Sequence, residues 1–222
     1  MIYPCTGVIL AGGMNTRFSG LDKAFLSIGG KRIIDHLFSI FFALFEDIIL
    51  VTNDPHKYLE WDVNIVTDIF PFRSSLTGIH AGLFYASTSF AFFAACDTPF
   101  LKKELVETIT NSIEQGVDVV VPETHAGFEP LCAVYSKKCL KPIEQQIIQK
   151  KLTIRQLFKK RRVKKISEKI LRKNDPDLVS FFNINTPQDK EKAEKMFKII
   201  KSKESSYESY PFDSYHKETS GL

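Results

Sequence analysis

Cysteine is scarce in this chain of 222 residues, and its four copies, at positions 5, 96, 132 and 139, form no C-x-x-C pair and no disulfide-like framework. Such spacing suits reduced thiols in a cytoplasmic protein. No stretch reaches the ~18 uninterrupted apolar residues that a membrane helix needs. The opening MIYPCTG lacks the basic region and long apolar core of a signal peptide. A cytoplasmic protein without a membrane partner is therefore expected. Neither GxxxxGK[ST] nor GxGxxG occurs, which excludes two common phosphate-binding loops. No internal repeat is visible. Acidic residues are nearly missing from one segment: between Lys137 and Lys173 there are 15 Lys and Arg but only Glu144 and Glu168. The rest of the chain carries a net charge of −9, against +4 overall. A block of that kind can serve an anionic ligand, nucleic acid or an acidic partner, or it can be a solvated face. It lacks interleaved aromatics apart from Phe158 and matches no nucleic-acid module, so no nucleic-acid partner is expected.

What is present is the material of a core. Hydrophobic residues make up 44% and charged residues 25%, and 19 phenylalanines suit packing better than a stacking surface. Short β-branched runs alternate with helical spacing. TGVILA (6–11), DIILVT (47–52), VNIVTD (63–68), FAFFAAC (90–96) and VDVVVP (117–122) read as buried strands. Helices are expected over 31–45 and 77–88, and through Leu101–Ile113, with Gly116 as a cap. EPLCAVYS reads as a further strand, followed by two basic helical stretches and a strand over 178–185. Thr186-Pro187 then starts a last helix running to about Lys201. The alternation predicts a single α/β domain over 1–201, with a Rossmann-like, doubly wound, mostly parallel sheet. Residues 202–222 read as a disordered polar tail.

In open α/β sheets, ligands bind outside the carboxyl ends of the strands. The unusual residues fall at those ends: Gly12 and Gly13, Asn53, Asp68 and Asp97. The loop after the first strand, AGGMNTRFSGLDK, combines glycines with Arg17 and Lys23. Glycines let backbone N–H groups approach a phosphate, Arg17 offers a planar fork of donors and Lys23 a mobile charge. An ordinary surface loop with two cations stays open on spacing alone.

LAGGMNTRFSGLDK resembles the signature of nucleotidyltransferases that activate sugar phosphates and related molecules. With TDIF, CDTPFL and FFNINTPQD following in order, the resemblance narrows to the molybdenum cofactor guanylyltransferases, over roughly residues 6 to 200. It implies the nucleotide-diphospho-sugar transferase type of fold and transfer of GMP from GTP to molybdopterin. Leu10, Ala11, Gly12 and Gly13 would cradle GTP, with Lys23 and Arg17 on its phosphates and Asp97 as ligand of a Mg²⁺ cofactor. Asp68 would choose the base, because one carboxylate can accept from both N1–H and the exocyclic amine of guanine, whereas N3 of cytosine would repel it. Its alternative is a turn carboxylate. Asn53 would add a polar contact, and Gly78 and Gly82 either approach the nucleotide or allow helix packing. Asn183 and Asn185 would face molybdopterin or the metal; otherwise they are turn amides. Arg17, Lys23 and Asp97 are the expected catalytic residues, and other proteins of molybdenum cofactor biosynthesis are candidate partners.

The chain departs from that pattern at Ser19, where glycine is usual, and at Ile79-His80, where the usual run carries proline. His80 is either an added donor or an incidental helix residue. A cytidylyltransferase of the same cofactor, a sugar-1-phosphate enzyme, and a nucleotide- or nucleic-acid-binding protein are the alternatives.

Overall fold

The computed structural model describes residues 4–12 and 22–208, with side chains described as far as Ser202. Seven strands make the path of the main sheet: β1 (Thr6–Leu10), β4 (Ile48–Val51), β5 (Asn64–Val66), β6 (Phe90–Ala95), β7 (Val119–Thr124), β9 (Cys132–Ser136) and β10 (Val163–Ser167). Their order is β10-β7-β9-β6-β1-β4-β5, and the short β8 (Gly127–Phe128) hairpins onto β7. β2 (Ser27–Ile28) and β3 (Lys31–Arg32) form a separate hairpin. The helices are α1 (Ile33–Leu44), α2 (Ser75–Tyr85), α3 (Lys103–Thr110), α4 (Leu140–Ile148), α5 (Arg155–Phe158), α6 (Glu168–Leu171) and α7 (Pro187–Glu208).

The sheet is covered on both faces, which is why its strands read as continuous apolar runs. Successive residues feed opposite cores. Ile9 and Phe92 join Leu37 and Phe41 of α1 and Val106 of α3. Val8 and Phe93 join Ile79 and Leu83 of α2 and Ile143 of α4. β1 pairs in parallel with both β4 and β6, while the chain runs outward through β4 and β5 before returning to β6. The strand order thus reverses beside β1, and a crevice opens beyond its carboxyl end.

The sheet is mostly parallel, as expected, with β9 set antiparallel between β6 and β7. Four other expectations need correction. Residues 178–185 form no strand; Val179–Phe181 is a single 3-10 turn entered through Leu178 at φ 52°. The buried Asp175 carboxylate takes the Ser180 amide at 2.8 Å and fixes that turn. The basic segment holds an edge strand, β10, as well as helices. Gly116 has φ 82° but lies beyond the end of α3 at Thr110, so it shapes the approach to β7 and caps no helix. The last helix continues past Lys201 to Glu208.

Candidate active site

Beyond the carboxyl ends of β1, β4, β5 and β6 lies a cavity of about 250 Å³, bounded by Leu10, Gly12, Asp22, Lys23, Asp68, Gly78 and Asp97 among others. β1 places the first two. The Ala11 amide donates to Val51 at 2.8 Å, and the Cys96 amide donates to Leu10 at 3.0 Å, so the end of β1 is held from both sides. Ala11 itself is buried behind the surface, its carbonyl facing the Thr52 hydroxyl at 3.4 Å. Gly13, Arg17 and Ser19 lie outside the described residues.

Lys23 begins a 3-10 turn whose cap is Asp22, with Asp22 Oδ1 accepting from the Ala24 amide at 3.2 Å. The other oxygen of Asp22 accepts from the hydroxyl of Tyr58, a fully buried side chain, at 2.9 Å. From that anchored turn Lys23 Nζ donates to Asn185 Oδ1 at 2.7 Å and lies 3.5 Å from Asp97 Oδ2. The Ile184 amide donates to the Asp97 carbonyl at 2.9 Å, which ties the 183–185 segment to the end of β6. Burial pushes the Asp97 carboxyl above the usual carboxylate range, and the Lys23 ammonium opposes that shift.

At the far side of the cavity stands Asp68, half-buried after β5. Asn53 Nδ2 donates to its Oδ2 at 2.9 Å. Burial raises its carboxyl as well, opposed by the Asn53 amide, the Thr77 hydroxyl and the Arg73 charge. Gly78 borders the same space: a Cβ there would lie 4.0 Å from Asp68 Oδ1 and 3.2 Å from Leu10. Gly82 does something else, since a Cβ would come within 2.7 Å of Phe93 and Val8 in the core. His80 is buried away from the cavity, against Glu144 of α4 at 3.1 Å and the edge of the Phe70 ring.

Asn185 is thus brought to Lys23 and Asp97. Exposed Asn183 is on the same segment, with buried Ile184 between the two. Neither amide caps α7; Thr186 does, its hydroxyl accepting from the Asp189 amide at 3.2 Å, while the Asp189 carboxylate accepts in return from the amides of Thr186 at 2.9 Å and Asn185 at 3.1 Å. Sequence reasoning missed Asp22 with Tyr58, and Arg73 with Ser74 and Ser75 at the start of α2, all but Tyr58 lining the cavity. A signal for α2 existed in S-x-x-T, because Ser74 and Thr77 form a reciprocal capping box.

No group of three or more His, Cys, Asp or Glu side chains suited to a metal is found among the described residues. Mg²⁺ does not need one, since it usually takes one or two carboxylates and completes its shell with phosphates and water. The hard oxygens of Asp97 and Asn185 both approach one cationic group, the Lys23 ammonium. A donor set of that kind fits the ion.

A switch-point crevice holding a strand-end glycine, a lysine and a carboxylate, with a helix N-terminus alongside, defines an α/β nucleotidyltransferase. Residues 7–166 match the family described as the MobA-like NTP transferase domain, and the chain belongs to that family. It is 50% identical to the molybdenum cofactor guanylyltransferase of Desulfosudis oleivorans, covering 87% of this chain and 96% of the relative. It is 35% identical to the probable molybdenum cofactor guanylyltransferase of Natranaerobius thermophilus, covering 86% and 95%. The crystal structure of molybdopterin-guanine dinucleotide biosynthesis protein A from Archaeoglobus fulgidus superposes with a TM-score of 0.77 at 28% identity, over 87% of this chain and 99% of that one.

Proposed function

We propose that the chain transfers GMP from GTP to the phosphate of molybdopterin, giving molybdopterin guanine dinucleotide and pyrophosphate, with Mg²⁺ held at Asp97. The observation that carries this reading is the Asp97–Lys23–Asn185 chain of contacts, opposite Asp68 across one cavity. It supports an arrangement with the base at Asp68 and the phosphates at Lys23. The acceptor would then approach along Asn183 and Asn185.

A phosphate oxygen of molybdopterin, ionised at neutral pH, forms a bond to the α-phosphorus of GTP. The bond from that phosphorus to the bridging oxygen breaks, and its electron pair leaves with pyrophosphate. No general base is needed, so the residues chiefly position groups and neutralise charge. Leu10 and Gly12, with Gly13, cradle the nucleotide, and buried Ala11 holds that strand end from behind. Lys23, with Arg17, meets the charge that gathers on the leaving group. Asp68 accepts from N1–H and the amine of guanine, and Asn53 holds the carboxylate to that task. When bound, Mg²⁺ supplies Lewis-acid neutralisation of the phosphate oxygens, with Asp97 and Asn185 as its protein ligands.

Calorimetry with GTP, CTP, ATP and UTP in the presence of Mg²⁺, on the wild type and Asp68→Ala, tests the base. GTP preference that collapses in the variant is the expected result. Equal binding of all four, or preference for CTP, overturns the guanylyl reading. Pyrophosphate release that depends on added molybdopterin tests the acceptor, and its absence with GTP bound overturns that part alone.

A further inference from the structure

A second cavity, of about 340 Å³, is lined in part by the Pro99–Lys102 segment. The β2–β3 hairpin contributes Ile28, α1 contributes Ile33, and α7 contributes Phe197 and Ile200. Phe100 and Val179 complete an apolar wall. The hairpin is fitted closely to α7: Gly29 turns at φ 59°, and a Cβ there would fall 2.2 Å from the Phe197 ring. The ionisable groups at this cavity are all basic, namely Lys31, His36, Lys102 and Lys201, and no acid lines it among the described residues. Two of these are already engaged. Lys102 pairs with buried Asp175 at 3.1 Å, and His36 Nε2 meets the Leu101 carbonyl at 2.9 Å, with burial lowering its affinity for a proton. Among the described residues, Lys31 Nζ meets the neutral Ser39 hydroxyl at 3.2 Å and no carboxylate, and Lys201 is exposed. An apolar chamber with a few convergent polar groups is the usual form of a small-molecule site, and the two remaining ammonium groups set the sign of its ligand.

We propose that this cavity is a second ligand site, separate from the nucleotide crevice, for an amphipathic monocarboxylate whose apolar body lies against Ile33, Phe100, Phe197 and Ile200 and whose carboxylate meets Lys31 and Lys201. The assignment is independent of the base and acceptor proposed above, because no residue is shared between the two cavities.

Titration calorimetry of the full chain with sodium octanoate tests it, with 1-octanol and octyltrimethylammonium as neutral and cationic controls of equal length. One octanoate per chain is expected, at least tenfold tighter than either control and undisplaced by GTP. Lys31→Glu/Lys201→Glu should weaken it at least fivefold. Ile200→Trp, which fills the chamber, should abolish it. The double variant changes exposed side chains only, so it keeps the test open if Ile200→Trp fails to fold. Equal binding of the three probes, displacement by GTP, indifference to the charge reversals, or no saturable binding each overturns the proposal.

Discussion

Asp68 carries two opposing demands. Burial disfavours its charged form, yet reading guanine requires that form, because only the carboxylate accepts two hydrogen bonds. Since its folded-state pKa is raised, ionisation of Asp68 detracts from stability as pH rises through that pKa, and the penalty is absent below the ordinary carboxylate value. Affinity for GTP has the opposite sign and declines as pH falls through the raised value, earlier than an ordinary carboxylate would allow. Asp68→Asn should remove this acid-side decline, weaken GTP at neutral pH by about 10- to 100-fold through loss of charge-assisted bonds, and leave the melting temperature equal or higher. Calorimetry across pH 4 to 8 checks all three; an unchanged profile would remove Asp68 from the base site. Tyr58 acts one step further back, through Asp22. Tyr58→Phe removes a single 2.9 Å bond and should cost about 1 kcal/mol of stability. If the bond also holds Lys23 in place, kcat falls while KM for GTP changes little. A loss of stability with kcat intact would make the tyrosine purely structural.

At the scale of elements, α2 carries two glycines one turn apart with different work. Gly82→Ala drives a methyl into Phe93 and Val8, and overpacking of that kind costs about 1–3 kcal/mol. Its effect should appear in denaturant midpoints and leave GTP affinity intact. Gly78→Ala meets Leu10 less closely, at 3.2 Å, but intrudes beside Asp68, so affinity should fall more than stability. Reversed outcomes would mean that α2 sits differently on the sheet. These two roles were indistinguishable in the sequence, since both glycines occupy one apolar helical face. The buried strands were legible because two-sided burial leaves an unbroken apolar run, and Asp68 and Asp97 were legible because a charge ends each run. β10 was not: its VKKIS buries only Ile166, with Lys164 half-buried and Lys165 exposed, and edge lysines of this kind blunt a sheet edge at the expense of its pattern. The run LVSFFNI misled in the other sense. Its apolar residues pack on the core, but Asp175, outside the run, bends the backbone into a turn. The insertion of β9 between β6 and β7 has no local signature at all, because strand direction depends on the connections. At the site, Asp22 was adjacent to a residue already singled out, yet its partner Tyr58 is 36 positions away and only the fold brings them together.

For the whole molecule, the charge asymmetry of the sequence is partly absorbed internally. Lys164, Lys165 and Arg172 of the basic segment pair with Glu114, Glu123 and Glu168, and exposed pairs of this kind contribute little each. Stability rests on the two cores either side of the sheet, and the nucleotide site draws on both. Lys23 belongs to the turn packed under α1, Gly78 to α2 on the other face, and Asn185 to the segment before α7. A ligand that bridges these groups binds only when both faces are assembled, so its binding energy is linked to the folding of the domain as one unit. With Mg²⁺ and GTP at 100 times its Kd, the gain is about 2.7 kcal/mol, which for a domain of this size corresponds to a rise of about 5–10 °C in melting temperature. Calorimetric melting should show one transition that moves with GTP as a whole, and Asp97→Ala should abolish the shift without splitting the transition. Two transitions, one of them indifferent to nucleotide, would mean that one core folds alone and that the crevice is assembled only afterwards.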